Sequence, residues 1–297
     1  MRTRSLAALA ALGTLWGCGS SRANARVGVT LPADGSAELR DLRGAMQHVA
    51  DSLGLTLEIR DDARDAAGQT ANVGDFLAHR VSAIVIVPTA PTGFAATIDR
   101  AMQQRVPVFT ALRQTDGDAV VSRIAPDDRE GGELISAYLV RRLQGGNVAV
   151  LDQPDVPGVR DRIAGLRLGL ARSPNIRVVA TPTVEPGSPE VARQRTATLL
   201  AADQRIDAVV AVTGDLALGA LAAVRAAGKP DVLVVAYGDG EGVRDSIKAG
   251  TPLVADVEPD AATVGRYAIE VVASHLRGNH VMSSVAVRVR LVDRDSL

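Results

Sequence analysis

Residues 207–238 read DAVVAVTGDLALGALAAVRAAGKPDVLVVAYG, and the order of elements in this stretch sets the fold class. The run from Ala208 to Val212 is short, continuous and valine-rich, as expected of a strand buried on both faces. After a turn at Thr213-Gly214, leucine and alanine recur at helical spacing over 214–227. Gly228-Lys229-Pro230 closes that helix, and a second apolar run, Val232 to Ala236, follows. Strand, helix and strand in about thirty residues make the crossover unit of a parallel sheet.

The same alternation extends in both directions. Further strands are expected at Val27 to Thr30, Leu55 to Arg60, Ala83 to Val87, Val106 to Thr110, Val148 to Leu151 and Arg177 to Ala180. Helical patterns lie near 37–53, 70–79, 92–104, 128–143, 159–172, 189–203, 214–227, 241–249 and 260–277. The fold class is therefore α/β, with doubly wound parallel sheets whose faces are covered by crossover helices. One set of units ends near residue 125, and a second begins at Asp127, a helix N-cap. After Leu253 to Val257 come one more helix and a β-rich tail, 285–292, so the chain is expected to pass between two lobes more than once. Sheets of this kind place ligands at the carboxyl ends of their strands, here in a cleft between the lobes.

The N-terminus, MRTRSLAALAALGTLWGCGSS (1–21), has the order of an export signal: Arg2 and Arg4, an apolar run from Leu6 to Trp16, then small residues. The run is too short to span a hydrocarbon core, which takes about twenty residues. Leu15-Trp16-Gly17-Cys18 resembles the lipobox of bacterial lipoproteins, in which the cysteine is acylated and becomes the new N-terminus; the alternative is a plain secretory signal. Cys18 is the sole cysteine, so no internal disulfide can form, and acylation would consume its thiol. On this reading residues 1–17 are a lipoprotein signal peptide and 18–26 a lipidated tether, and the body is held at an extracytoplasmic membrane surface.

Composition narrows the function further. With 33 basic and 34 acidic residues the net charge is −1, and nothing points to a nucleic-acid partner. The four histidines (His48, His79, His275, His280) lack metal-ligand spacing. Gly238-Asp239-Gly240-Glu241-Gly242 lacks the spacing of a dinucleotide fingerprint, and neither a P-loop nor a G-x-S-x-G elbow occurs. No enzyme, cofactor or metal site is expected. Aromatic residues make up 2% of the chain, which leaves few rings to stack on a ligand.

Three stretches carry a family resemblance: VVSRIAPDDREGGELISAYL (120–139), RDRIAGLRLGL (160–170) and above all residues 207–238. From about Val27 to Val292 the chain resembles the type I periplasmic sugar-binding proteins, of the ribose-binding kind, that feed ATP-driven importers. The resemblance implies two lobes, 27–126 plus 258–284 and 127–257 plus 285–297. They would be joined by three crossover strands near 125–127, 256–259 and 283–286. It also implies a small-molecule ligand, a membrane ABC permease as partner, and a monomer. A sensing role, with the closed form presented to a receptor kinase, stays open as the alternative.

Transferred position by position, the resemblance marks Arg113, Arg162, Asp215, Asp239, Asp34 and Glu258 as candidate ligand contacts. The first-lobe loop, Leu31 to Glu38, has Ala37 and Glu38 about where sugar binders carry an aromatic clamp, so the clamp is missing. Two arginines without a stacking pair fit either an anionic sugar derivative or a small polyol held by hydrogen bonds. Each arginine has a competing role as a salt-bridge partner, and Asp215 as a helix N-cap.

Overall fold

The computed structural model describes residues 25–33, 35–185, 188–202, 205–238 and 241–297. Cys18, Asp34 and Asp239 lie outside the described residues.

The first lobe opens with β1 (Arg26–Pro32), α1 (Ala37–Leu53), β2 (Thr56–Ala63), α2 (Ala66–Ala78), β3 (Ala83–Ile86), α3 (Ala95–Gln103), β4 (Val108–Ala111) and β5 (Ser122–Pro126). The second continues with α4 (Asp128–Leu143), β6 (Gly146–Leu151), α5 (Val159–Leu170), β7 (Ile176–Ala180), α6 (Pro189–Ala201), β8 (Ala208–Ala211), α7 (Gly214–Ala226), β9 (Leu233–Tyr237), α8 (Glu241–Lys248) and β10 (Leu253–Pro259). The chain then adds α9 (Ala261–Leu276), β11 (Ser284–Val287) and β12 (Val289–Asp293). Two six-stranded sheets result, ordered β11-β5-β4-β3-β1-β2 and β12-β10-β9-β8-β6-β7. All pairings are parallel except β10 with β12.

Two boundaries differ from the sequence reading. The return to the second lobe comes later than residue 285, because Ser284–Val287 pairs with Arg123–Pro126 and only β12 joins the second sheet. Likewise β10 stays in the second sheet through Glu258 and Pro259, which face Arg290 and Val289. Ser122 and Arg123 interrupt the apolar run of β5, so residue pattern alone gave no strand there beyond the hinge position.

Local chemistry explains where the helices begin. Ser36, Asp65, Asp127, Ser188 and Asp260 each accept a backbone N–H of the first turn of α1, α2, α4, α6 and α9. Phe76, Phe94, Phe109, Tyr138 and Tyr237 are buried in the cores, so the few aromatics fill volume between layers.

One packing contact bears directly on the cleft. A Cβ on Gly132 of α4 would stand 2.0 Å from the Arg162 carbonyl oxygen, and one on Gly165 of α5 would stand 2.1 Å from that of Arg129. The two helices therefore meet backbone to backbone, which only glycine at these positions allows. That approach carries the first turns of α4 and α5 together at the edge of the cleft.

Candidate functional site

A cavity of about 380 Å³ opens between the lobes at the carboxyl ends of the strands. The first lobe lines it with Glu38, the loop Pro88 to Pro91 after β3, and Leu112 to Gln114 after β4. The second contributes Asp128, Val156, Pro157, Arg162, Thr213 to Asp215, Tyr237 and Gly238, and hinge residues Ala125 and Pro126 complete the wall.

Arg113 reaches the cleft through a strained turn. Leu112 adopts φ +67°, and the Arg113 N–H donates to the Ala111 carbonyl at 2.7 Å, closing a three-residue turn at the end of β4. A bulky residue in the left-handed region costs about 1–3 kcal/mol, and such strain concentrates where geometry serves a site. The Arg113 guanidinium lies 3.6 Å from Glu38, whose carboxylate is nearly buried at the start of α1.

Arg162 is held more firmly. Its Nε–H donates to Asp128 Oδ1 at 2.8 Å and its Nη1–H to the Val212 carbonyl at 2.7 Å. Its guanidinium carbon stands 3.9 Å from the centroid of Tyr237. The Tyr237 ring is therefore covered by a cation. Burial pushes the Tyr237 phenol well above its ordinary pKa, the Arg162 charge opposes that rise and Asp128 adds to it, so the group stays protonated. Asp128 itself is lodged against Gly158, at φ +85°, where a Cβ would stand 2.1 Å from Oδ2.

Of the expected contacts, the structure thus brings Arg113, Arg162 and Asp215 to one cleft. Asp215 is not the N-cap of α7; Thr213 holds that position, and Asp215 is an exposed acid in the first turn, favoured by the helix dipole. Glu258 is not among the residues lining the cavity. Its carboxylate is 2% exposed and is bonded by Arg244 and Arg290, so both oxygens serve the second lobe's own structure.

Three cleft residues escaped the sequence reading. Asp128 follows the N-cap Asp127 as a first-turn acid of α4, and nothing in the local pattern shows that its side chain turns into the cleft. Tyr237 looks like the end of a core strand. Thr89 sits in the loop after β3; its N–H donates to Gln69 Oε1 at 2.8 Å, while its buried Oγ1 has no partner among the described residues.

The described ionic groups lining the cavity are two guanidiniums, Arg113 and Arg162, and three carboxylates, Glu38, Asp128 and Asp215. The arrangement supplies hydrogen-bond donors and acceptors side by side and carries no excess positive charge.

Comparison with known proteins agrees with this architecture. A family model described as a periplasmic binding protein domain matches residues 27–280. The ribose import binding protein RbsB of Salmonella typhimurium is 29% identical over 256 residues, covering 84% of each chain. The xylitol-binding protein of Mycolicibacterium smegmatis is 27% identical over 258 residues, covering 83% of this chain and 73% of its own. Among solved structures, AraP, an arabinose binding protein from Geobacillus stearothermophilus, aligns with a TM-score of 0.82 at 20% identity, covering 91% of this chain and 96% of its own. An ABC transporter solute binding protein from Agrobacterium vitis, bound with α-D-tagatopyranose, gives 0.77 at 21% identity, covering 91% and 95%. At these identities the two structures bear on the fold alone.

Proposed function

The chain belongs to the periplasmic binding protein family, among the sugar-binding components of ABC transporters, and on that premise we propose that it captures a small, neutral, hydroxyl-rich ligand, a polyol or compact sugar, for import. One observation carries the choice of ligand. Each cleft guanidinium already faces a carboxylate, Arg113 with Glu38 and Arg162 with Asp128, and Asp215 adds a further negative charge. An anionic ligand would meet a site that is net negative among its described residues, whereas hydroxyls can accept from the arginines and donate to the carboxylates.

The lack of a free aromatic face among the described residues lining the cavity favours the same class. A pyranose gains from stacking its C–H surface on a ring, but the Tyr237 ring is covered by Arg162. A polyol is bound through its hydroxyls alone. Relatives described as import and xylitol-binding proteins support transport over presentation to a receptor kinase.

The mechanism is closure about the three crossovers. The ligand contacts Arg113 and Thr89 on one lobe and Arg162 and Asp215 on the other, so it favours the conformation in which both sets reach it at once. Delivery follows when the permease reopens the lobes. Acylation of Cys18 ties the body to an extracytoplasmic membrane surface; no helix among the described residues is long and apolar enough to cross a membrane.

A thermal-shift screen over pentoses, hexoses, polyols, sugar acids and sugar phosphates tests the ligand class. A true ligand at about 100 times its dissociation constant adds about 2.7 kcal/mol. A neutral polyol or sugar is expected to give the largest shift. If only sugar acids or phosphates stabilise the protein, the charge argument is wrong. For the anchor, Cys18→Ser is expected to abolish fatty-acid labelling and release the protein from membranes; unchanged labelling would reject it.

A further inference from the structure

The strands of the first sheet run toward the cleft, so the residues where they start, and where α1, α2, α3 and α9 end, share the opposite end of the lobe. Backbone hydrogen bonds fix their lateral order: Thr56 donates to Ala25, Ser82 to Arg26, Ile84 to Pro107 and Arg123 to Ser283. With strands about 4.8 Å apart, six of them spread this base over roughly 24 Å.

Its side chains combine two features. Arg26, Arg80, Arg105 and Arg277 are all exposed there. Between and beside them stand Leu53, 39% exposed, and Met282, 65% exposed, two of the four large apolar side chains exposed among the described residues. The carboxylates at this end are Glu58, paired with Arg26, Arg60 and His79, Asp118, paired with Arg123, and Asp51 and Asp75 in the last turns of α1 and α2. Positive charge is in excess. A shallow hollow lined by His275, Asn279 and His280 opens on the same end.

The backbone adds a second indication. α1 and α9 give way to left-handed Gly54 and Gly278, but after α2 and α3 that conformation is taken by Arg80, at φ +54°, and Arg105, at φ +62°. Glycine adopts it without strain and arginine does not, although a cation near a helix C-terminus offsets part of the cost.

We propose that this base is a docking surface for an anionic phospholipid bilayer. Exposed cations around protruding apolar side chains are the chemistry of the bilayer interface, where guanidiniums meet phosphates and Leu53 and Met282 enter the acyl boundary. The position of the anchor strengthens the assignment, and this part rests on acylation of Cys18. The chain emerges at Ala25, on the base itself, and the residues from Cys18 to Asn24 reach at most about 25 Å when extended. A contact that is weak in free solution becomes effective when a short tether raises its local concentration.

The test uses the chain from Gly19 to Leu297, which keeps every described strand and helix and has no thiol, so the result is independent of the anchor. Sedimentation is measured with vesicles of phosphatidylcholine alone and of phosphatidylcholine with about one third phosphatidylglycerol. At low ionic strength, binding to the anionic vesicles is expected to be at least about tenfold stronger, and to vanish near 0.5 M salt, roughly where screening confines fields to a few ångströms. Each basic residue contributes about fivefold, so the triple variant Arg80→Glu, Arg105→Glu, Arg277→Glu is expected to lose at least about tenfold. Reversal of Arg172, Arg177 and Arg225, exposed on the second lobe, changes net charge equally and is expected to leave binding within about twofold. Equal partition to both vesicle types, or equal loss in the two triple variants, overturns the proposal. Fatty-acid labelling of the full chain reads the anchor separately.

Discussion

Arg162 covers the face of Tyr237, with its guanidinium carbon 3.9 Å from the ring centroid, so the ring at the end of β9 is a floor for a cation in place of a wall for a ligand. The same guanidinium is bonded to Asp128 and to the Val212 carbonyl, which ties α5, α4 and the residue just after β8 together at the cleft. A residue placed this way neutralises a buried acid, and under the proposed function it also offers its remaining donor edge to the ligand.

Arg162→Ala should therefore reduce both stability and affinity. Leaving Asp128 unpaired at 8% exposure costs about 2–4 kcal/mol, and the lost ligand contact about ten- to hundredfold in binding. Urea unfolding of Arg162→Ala, Asp128→Asn and the double variant checks it. The double variant is expected to be less destabilised than the sum of the singles; strict additivity would mean that the two side chains do not act as a pair.

Arg113 behaves differently. Its side chain is 39% exposed and stands 3.6 Å from Glu38, beyond hydrogen-bond distance, so the pair holds the fold less firmly than Arg162 and Asp128 at 2.8 Å. Arg113→Ala is expected to lower the urea midpoint less than Arg162→Ala does, yet to bind the screened ligand about tenfold more weakly than wild type. Calorimetric affinity within twofold of wild type would remove it from the site. Glu38→Gln, which takes away one cleft carboxylate, should improve binding of sugar acids relative to neutral polyols.

The contact between α4 and α5 makes a packing prediction. Gly165→Ala drives a methyl to 2.1 Å from the Arg129 carbonyl, a backbone atom that cannot swing away. The helices must separate, with a loss of about 1–3 kcal/mol and, through displaced Arg162, weaker ligand binding. Gly44→Ala in α1, where an added Cβ meets nothing within 4 Å, should instead stabilise by about 0.5–1 kcal/mol. Thermal melts of the two variants should shift in opposite directions.

Asp116 supplies a pH dependence. Partial burial would raise its pKa, but hydrogen bonds from the N–H groups of Phe94 and Gly93, with the Thr115 hydroxyl and the Ala95 N–H, outweigh this and lower it. A carboxylate with a depressed folded-state pKa stabilises above its unfolded value of about 3.9, and that stability disappears as pH falls through the folded value. Asp116→Ala should thus cost about 1–2 kcal/mol near neutral pH, and the difference from wild type should shrink toward zero in strong acid. A difference that stays constant from pH 7 to below 3 would assign the cost to packing, not charge.

The sequence by itself determined the fold class and the placement of all nine described helices to within a few residues, because each records a local property: helical or strand periodicity, a cap, a continuous valine run. The family resemblance of its motifs also brought Arg113, Arg162 and Asp215 forward as candidate ligand contacts, and all three line the cleft. Partnership was not legible. Whether Arg162 grips Asp128, whether Glu258 faces a ligand or two arginines, and whether Tyr237 offers its ring are contacts between residues 14 to 75 positions apart, set only when helices and strands pack. Tertiary structure decided them because a charge near a buried surface must find its opposite wherever the fold places one, and local periodicity carries no record of that distance.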